Sequence, residues 1–593
     1  MASLSQRRFW TAIVFTAGLF LIIAYQLVQL MVIRRPALLE LADKQHLLTV
    51  DIPPLRGQIL DRSGKELATN LKVPSIYAVP RVLSKEDRGA LVEKLSPILK
   101  LDKAFLQDRI FRDKAFIWLK RRTNYEEAEK VRALHSPALG IEKEYRRFYP
   151  QGDLLSHVLG FTNVDAEGLE GMELYLNREL QGRAGKRSTK RDAMGREIRA
   201  FEIKQIPVLD GNRVTLTIDQ YIQYLTERAL DKAYTKWKAK GGMAIVMEAK
   251  TGRIVAMANR PTFDPNQPGK AITETRRNRS VTDMYEPGSI FKIVAASAAL
   301  NEGKVTPETI FHCENGKYRY GGGRILNDVH PYGNLSMADV IVKSSNIGTV
   351  KIAAKLPPET FQSYIQAFGF GRTTGIDLPG EVPGYTRPPK EWSRTSPYNI
   401  PIGQEILVTP LQMVAAMAVI ANGGELVQPY VISKIEDQSG VVLREKIPTV
   451  RRRVLRPEVA AKMREILTRV VEEGTGKNAR INGIPVAGKT GTAQKVLANG
   501  RGYSHSNFMS SFIGFAPSDE PEYVMIAVLD DPKPMYYGGV VAAPVFKEVM
   551  EVALLSKGYV PRNAATIDPA RRQQNAPENQ PKLRPAAAAG ARI

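Results

Sequence analysis

The stretch WTAIVFTAGLFLIIAYQLVQLMVI, Trp10 to Ile33, contains no charged residue, and no comparable run follows it. As a helix it reaches ~36 Å, enough to cross a hydrocarbon core of ~30 Å. It is too long for the apolar part of a cleavable signal peptide and lacks a small-x-small cleavage site, so it reads as an uncleaved anchor, 10–33, behind a short tail, 1–9. Arg7 and Arg8 before the span are matched by Arg34 and Arg35 after it. Orientation therefore follows from the long domain behind the anchor, which can be translocated regardless of local charge. Residues 1–9 are expected in the cytoplasm and the rest outside.

Beyond the anchor two periods alternate. Apolar residues at every second position flank a glycine turn in GQILDRSGKELAT, AIVMEAKTGRIVAM and KIEDQSGVVLRE, which predicts hairpins. A period near 3.6 in DQYIQYLTERALDKAYTKW and PEVAAKMREILTRVVEE predicts amphipathic helices. The mixture predicts an α+β fold. Residues 51–202 are rich in Arg, Lys and Glu with few apolar runs, and VLDGNRVTLTIDQ opens a more apolar region. A boundary at Pro207–Asn212 separates a domain at 50–206 from one at 212–556. Over 561–593 periodicity is lost to Pro, Ala, Gln, Asn and Arg, and a disordered tail is expected.

A chain of 593 residues is too long for one core. Apolar residues make up 43% and charged residues 24%, the balance of a globular protein. With 84 Lys and Arg against 61 Asp and Glu, the formal net charge is +23, which invites nucleic acid, an anionic membrane or an acidic polymer as neighbour. Zinc-knuckle spacing, an aromatic RNA-binding signature and basic helix repeats are all missing, so nucleic acid is not an expected partner. Cys313 is the only cysteine, which excludes disulfides within one chain and thiolate metal sites. No HExxH-type pattern occurs and Asp219 and Glu248 lack a second carboxylate at useful spacing, so neither metal nor cofactor is expected. His330 and His505 are isolated and read as structural.

The chemistry concentrates in three short motifs. MYEPGSIFKIVAAS places Ser289 three residues before Lys292 at a Pro-Gly corner, the one Ser-x-x-Lys in the chain. VKSSNIGTV supplies Ser344-Ser345-Asn346, the one Ser-x-Asn, and PVAGKTGTAQK supplies Lys489-Thr490-Gly491-Thr492. An earlier Lys-Thr-Gly at Lys250–Gly252 lies at a hairpin tip, where glycine makes the turn. Residues three apart on a helix share a face, so Lys292 can take the proton from the Ser289 hydroxyl. Acting as a base near neutral pH requires a disfavoured ammonium, which burial among Ile293, Val294 and Ala296 and the nearby cation Lys489 would both provide. Backbone N–H groups at the helix start point toward Ser289, and its own N–H together with that of Thr492 could hold an oxyanion.

In this order the motifs resemble the active site shared by penicillin-binding proteins and serine β-lactamases. LRGQILDRSGKELATN and RRFYPQGDLLSHVLGFTNVDAEGLEGMELYLN resemble the two blocks of the non-catalytic domain of class B penicillin-binding proteins, and YYGGVVAAPVFKEVM resembles the end of their transpeptidase domain. Within them GFTNVDAEGLEGMEL is most like the septal, cell-division type. The resemblance implies an elongated α+β pedestal followed by a domain with an antiparallel sheet and helices on both faces. It further implies that Ser344 relays a proton, Asn346 holds the substrate amide, and Lys489, Thr490, Gly491 and Thr492 form the carboxylate-binding strand. The implied substrate is the peptidoglycan stem peptide, attacked at D-Ala-D-Ala, and β-lactams are the implied inhibitors. Implied partners are a membrane glycosyltransferase of the shape-elongation-division-sporulation family and other division proteins, at the inner membrane with a periplasmic catalytic domain.

Three other readings are weighed. An elongation-type enzyme differs only in cellular address. A β-lactam sensor or β-lactamase should lack the LRGQILDR block, and an inert division scaffold would not need three intact motifs. No glutamate from Glu359 to Glu473 is followed four residues later by Asn, so the deacylating base of class A β-lactamases is missing. Arg56, Asp61 and Arg62 around Gly57 and Gly64 are expected to make a charged hairpin held by a salt bridge.

Overall fold

The computed structural model describes residues 2–38, 47–191, 197–320, 324–497 and 502–561. The tail expected at 561–593 therefore lies, from 562 on, outside the described residues. The chain forms two compact units, one of Met1–Gly57 with Arg178–Asn212 and one of Gln58–Asn177 with Arg213–Ile593. Segment 50–206 thus contributes to both.

In the first unit a helix runs over Ala2–Val28 and passes into a π-helical turn at Gln29–Ile33. Apolar side chains such as Phe15, Leu21 and Val32 stand exposed on it. The hydroxyls of Thr11 and Thr16 donate to carbonyls one turn back, which spares an apolar environment an unpaired donor. Among the described residues it is the one helix long and apolar enough to cross a membrane, and it fits a single-pass anchor. An antiparallel sheet of Leu47–Ile52, Gly185–Arg191 and Glu197–Ile206 belongs to the same unit.

The second unit is built on two sheets. In the five-stranded antiparallel sheet the order is Ile254–Arg260, Gly241–Glu248, Tyr523–Asp530, Tyr503–Ala516 and Ala487–Val496, which puts the Lys489 strand at an edge. Gly241–Glu248 and Tyr523–Asp530 are buried at every position because helices cover both faces. Gln220–Lys236, capped by the Asp219 side chain, and Ala543–Ser556 pack with Val246, Met525 and Phe512 in one core. The wholly buried helix Pro410–Ala421 packs against the sheet as well. Its start follows from local chemistry: Thr409 and Gln412 form a capping box around Pro410 at the first helical position.

The other sheet has seven strands. Its hydrogen-bonded path runs through Val442–Glu445, Ile432–Glu436, Arg213–Leu216, Ile59–Leu60, Glu66–Ala78 and Ile117–Lys120, and Leu139–Phe148 also pairs with Glu66–Ala78. All three expected hairpins form, and so do the expected helices, Gln220–Lys236 and Pro457–Glu472. The charged hairpin differs from expectation in its partners. The Asp61 carboxylate accepts from Ser63 and Lys65 N–H and closes the turn, whereas Arg62 reaches Glu248 at 3.4 Å.

Candidate active site

The corner before Ser289 is held by glycine contacts. Gly288 has φ +57°, and its N–H donates to Gly403 O at 3.0 Å. A Cβ on Gly403 would sit 2.2 Å from Gly288 O, so both chains approach only because that side chain is missing. From the corner a 3₁₀ turn, Gly288–Phe291, leads into the helix Lys292–Asn301. Residues three apart eclipse in a 3₁₀ turn, which sets half-buried Ser289 and Lys292 on one side.

Lys292 is 0% exposed, and its Nζ donates to Ser344 O at 2.7 Å and Asn346 Oδ1 at 2.8 Å, with Ser344 Oγ at 3.2 Å. Burial lowers its pKa to about 7, and the Asp328 carboxylate pulls in the opposite direction. Lys489 is equally buried, and its Nζ donates to Ser344 Oγ at 2.8 Å and Thr490 O at 3.1 Å. Burial, and after it the charge of Lys292, holds Lys489 well below the ordinary lysine value. Both lysines are thus held below the ordinary value, with burial the larger cause in each, and the repulsion between them acts on the pair.

Ser344 occupies the left-handed region at φ +59°, uncommon for a residue with a side chain. Its hydroxyl lies within hydrogen-bond reach of both lysines. The turn is pinned from below by Asp328, which accepts from Ser345 Oγ at 2.5 Å and from the N–H groups of Asn346 and Ile347 at 2.5 and 3.1 Å. Asn346 Nδ2 donates to Asn327 O, which orients the amide so that Oδ1 meets Lys292.

The strand Ala487–Val496 carries the third motif past Ser289. Gly491 has to be glycine, since a Cβ there would lie 2.3 Å from Ser511 Oγ and 3.0 Å from Ile290 Cγ2. Thr490 Oγ1 pairs with Thr475 Oγ1 at 2.8 Å, and Thr492 Oγ1 accepts from Gly538 N–H at 3.1 Å. A hydroxyl that accepts one bond keeps its own proton to donate. The Lys250–Gly252 motif sits at a hairpin turn, with Gly252 at φ +79° and Thr251 bonded to Glu248. His330 stacks edge-on near Tyr332 and His505 is exposed.

Sequence reasoning missed Asp328, Thr475 and Glu286. Asp328 carries no local signal, because it meets Ser345 only after the chain has turned back on itself. Glu286, three residues before Ser289, accepts from Glu405 N–H at 2.9 Å and Tyr503 OH at 3.2 Å, and burial pushes its carboxyl up to about 7. The Glu-Pro-Gly-Ser order could have pointed to it as a brace for the corner.

Comparisons with known proteins give the family. Residues 242–551 match the penicillin binding protein transpeptidase domain and residues 51–216 the penicillin-binding protein dimerisation domain. The chain is 34% identical to stage V sporulation protein D of Bacillus subtilis, over 94% of this chain and 87% of that one. It is 32% identical to peptidoglycan D,D-transpeptidase FtsI of Escherichia coli K12, over 91% and 90%. Penicillin-binding protein 3 of Mycobacterium tuberculosis, solved with ampicillin, superimposes with a TM-score of 0.67 at 28% identity, covering 88% of this chain and 98% of that one. The chain belongs to the class B penicillin-binding proteins and is a peptidoglycan D,D-transpeptidase.

Proposed function

We propose that the protein cross-links stem peptides during septal wall synthesis through an acyl-enzyme on Ser289. The observation that carries the chemistry is the buried amino group of Lys292, whose pKa of about 7 leaves a large share as free amine at neutral pH. A neutral amine has two hydrogens, and Ser344 O and Asn346 Oδ1 receive them. Its lone pair is left for the Ser289 proton. Ser289 Oγ attacks the carbonyl of the penultimate D-Ala as Lys292 takes that proton, and the N–H groups of Ser289 and Thr492 hold the oxyanion. The amide C–N bond then breaks, and the departing D-Ala nitrogen receives a proton through Ser344. An amine of a neighbouring strand attacks the ester, forms the new amide and returns the proton to Ser289. Asn346 holds the substrate amide, and Lys489, Thr490, Gly491 and Thr492 receive the terminal carboxylate.

In this reading residues 10–33 anchor the chain in the inner membrane, with 1–9 cytoplasmic and the catalytic domain, 212–556, periplasmic. The domain at 50–206 acts as a non-catalytic pedestal. With the anchor it would meet a membrane glycosyltransferase of the shape-elongation-division-sporulation family and other division proteins. The septal address is supported by the GFTNVDAEGLEGMEL stretch. Fluorescent penicillin should label the wild-type chain and not Ser289→Ala. Intact-protein mass spectrometry should show one added drug mass on the Ser289 peptide, persisting for many minutes. Fast turnover of the drug or an adduct on another serine would overturn the mechanism. On depletion, filamentous cells support the septal address and round cells refute it.

A further inference from the structure

A second pocket, of about 220 Å³, lies away from the three motifs, between the loop after the helix Pro358–Ala367 and the paired strands Glu425–Val427 and Val450–Arg453. Its wall mixes apolar and polar side chains, Phe368, Ala415 and Leu426 beside Thr374 and Gln412, and its rim carries Arg372, Arg451 and Arg452. Among the described residues no carboxylate lies within ion-pair distance of these three guanidinium groups. The nearby acids are already engaged by backbone: Glu381 accepts from the N–H groups of Thr374 and Gly375, and Asp377 from those of Val431 and Ile432. Arg453 on the same strand shows the usual arrangement, paired with Glu425.

The rim is also shaped. The ladder slips between Leu426 and Val427, which leaves Arg451 at a bulge, a device that re-aims a side chain. Its Nη2 occupies the space beside Gly375, where a Cβ would lie only 2.3 Å away. Gly375, at φ +73°, is held by Gln428 Nε2, which donates to its carbonyl at 2.5 Å. Arg372 and Arg451 are exposed at the rim, so three guanidinium groups without a carboxylate are free to turn their forks to an anion entering the cavity, and Phe368, Ala415 and Leu426 offer contact to a small organic body. Guanidinium forks match the oxygens of a phosphoryl group two at a time.

We propose that this pocket is a binding site for a phosphoryl group carried on a small organic stem. The full-length chain in neutral detergent is titrated calorimetrically with phenyl phosphate, inorganic phosphate and dibutanoyl phosphatidic acid. Phenyl phosphate should saturate one site per chain. Arg372→Gln and Arg451→Gln should each weaken it about tenfold or more, and Arg453→Gln should stay within about twofold of wild type. Tighter binding of dibutanoyl phosphatidic acid than of inorganic phosphate supports a lipid phosphate, and binding of phenyl phosphate no tighter than that of inorganic phosphate would overturn the organic stem. Equal losses in all three variants, or none, would reduce the pocket to general basic surface and overturn the proposal. Should a variant fail to fold, the wild-type chain decides alone. Phenyl phosphate bound one to one and displaced by inorganic phosphate, but not by chloride at the same ionic strength, supports the site. Binding that does not saturate overturns it.

Discussion

Two buried cationic clusters in the larger unit are treated in opposite ways. In the segment Gln58–Asn177, Arg147 is 2% exposed and its Nε donates at 2.5 Å to Glu173, which is 0% exposed, with Tyr149 OH on the same oxygen at 3.3 Å. At the catalytic cleft Lys292 and Lys489 are just as buried, yet both are surrounded by hydroxyls, carbonyls and an amide, and Asp328 is engaged with the turn that follows Ser344. A buried charge without a countercharge sheds its proton, whereas a paired one keeps it. Arginine suits the first place because it stays protonated, and lysine the second because it does not. The difference teaches that burial without a partner, costly anywhere else, is what makes a base here.

The sharpest way to break the comparison is to exchange the cation types. Lys292→Arg keeps the charge and removes the base, so acylation by penicillin should fall ~100-fold or more. A stopped-flow rate within about threefold of wild type would rule out Lys292 as proton acceptor. Glu173→Gln performs the reverse operation and removes the buried carboxylate that faces Arg147. Stability to urea should drop by roughly 3 to 5 kcal/mol, with the acylation rate per folded molecule unchanged. An unshifted urea midpoint would remove the contrast between the two clusters.

Acidity sharpens the same comparison. The acylation rate should rise about tenfold per pH unit below pH 7 and level off above it, as Lys292 deprotonates. Glu286 is also placed near 7, so Glu286→Gln has to preserve the inflection if Lys292 is its source. The smallest expected effect is on stability. The folded pKa of Lys292 lies below the unfolded value, so the unfolded chain binds the extra proton between about pH 7 and 10.5, and this group's contribution to stability rises with pH across that window. Lys292→Met should accordingly be more stable at pH 7 by about 2 kcal/mol, after the loss of two hydrogen bonds, and the gain should shrink toward pH 10. A variant destabilised equally at both pH values would show that the lysine is not strained by burial.

Much of this was legible along the chain because it depends on neighbours in sequence. The uncharged run Trp10–Ile33 and the glycine turns of the hairpins are decided by residues close to one another along the chain. Ser289 and Lys292 share a face for the same local reason. The order of the three motifs could be read as well, although their distances could not.

Contacts across long sequence separations were decided by tertiary structure. Asp328 meets the N–H of Asn346, Lys292 meets Ser344, and Lys489 reaches the same hydroxyl from a strand more than a hundred residues further on. No period or spacing encodes such meetings, because they arise where separately formed elements pack and exclude water. The same packing decided that Arg62 pairs with Glu248 and that Arg372 gathers with Arg451 and Arg452. The sequence by itself therefore determined which groups could do chemistry. Only the fold decided which of them lose their solvent, and with it their ordinary charge.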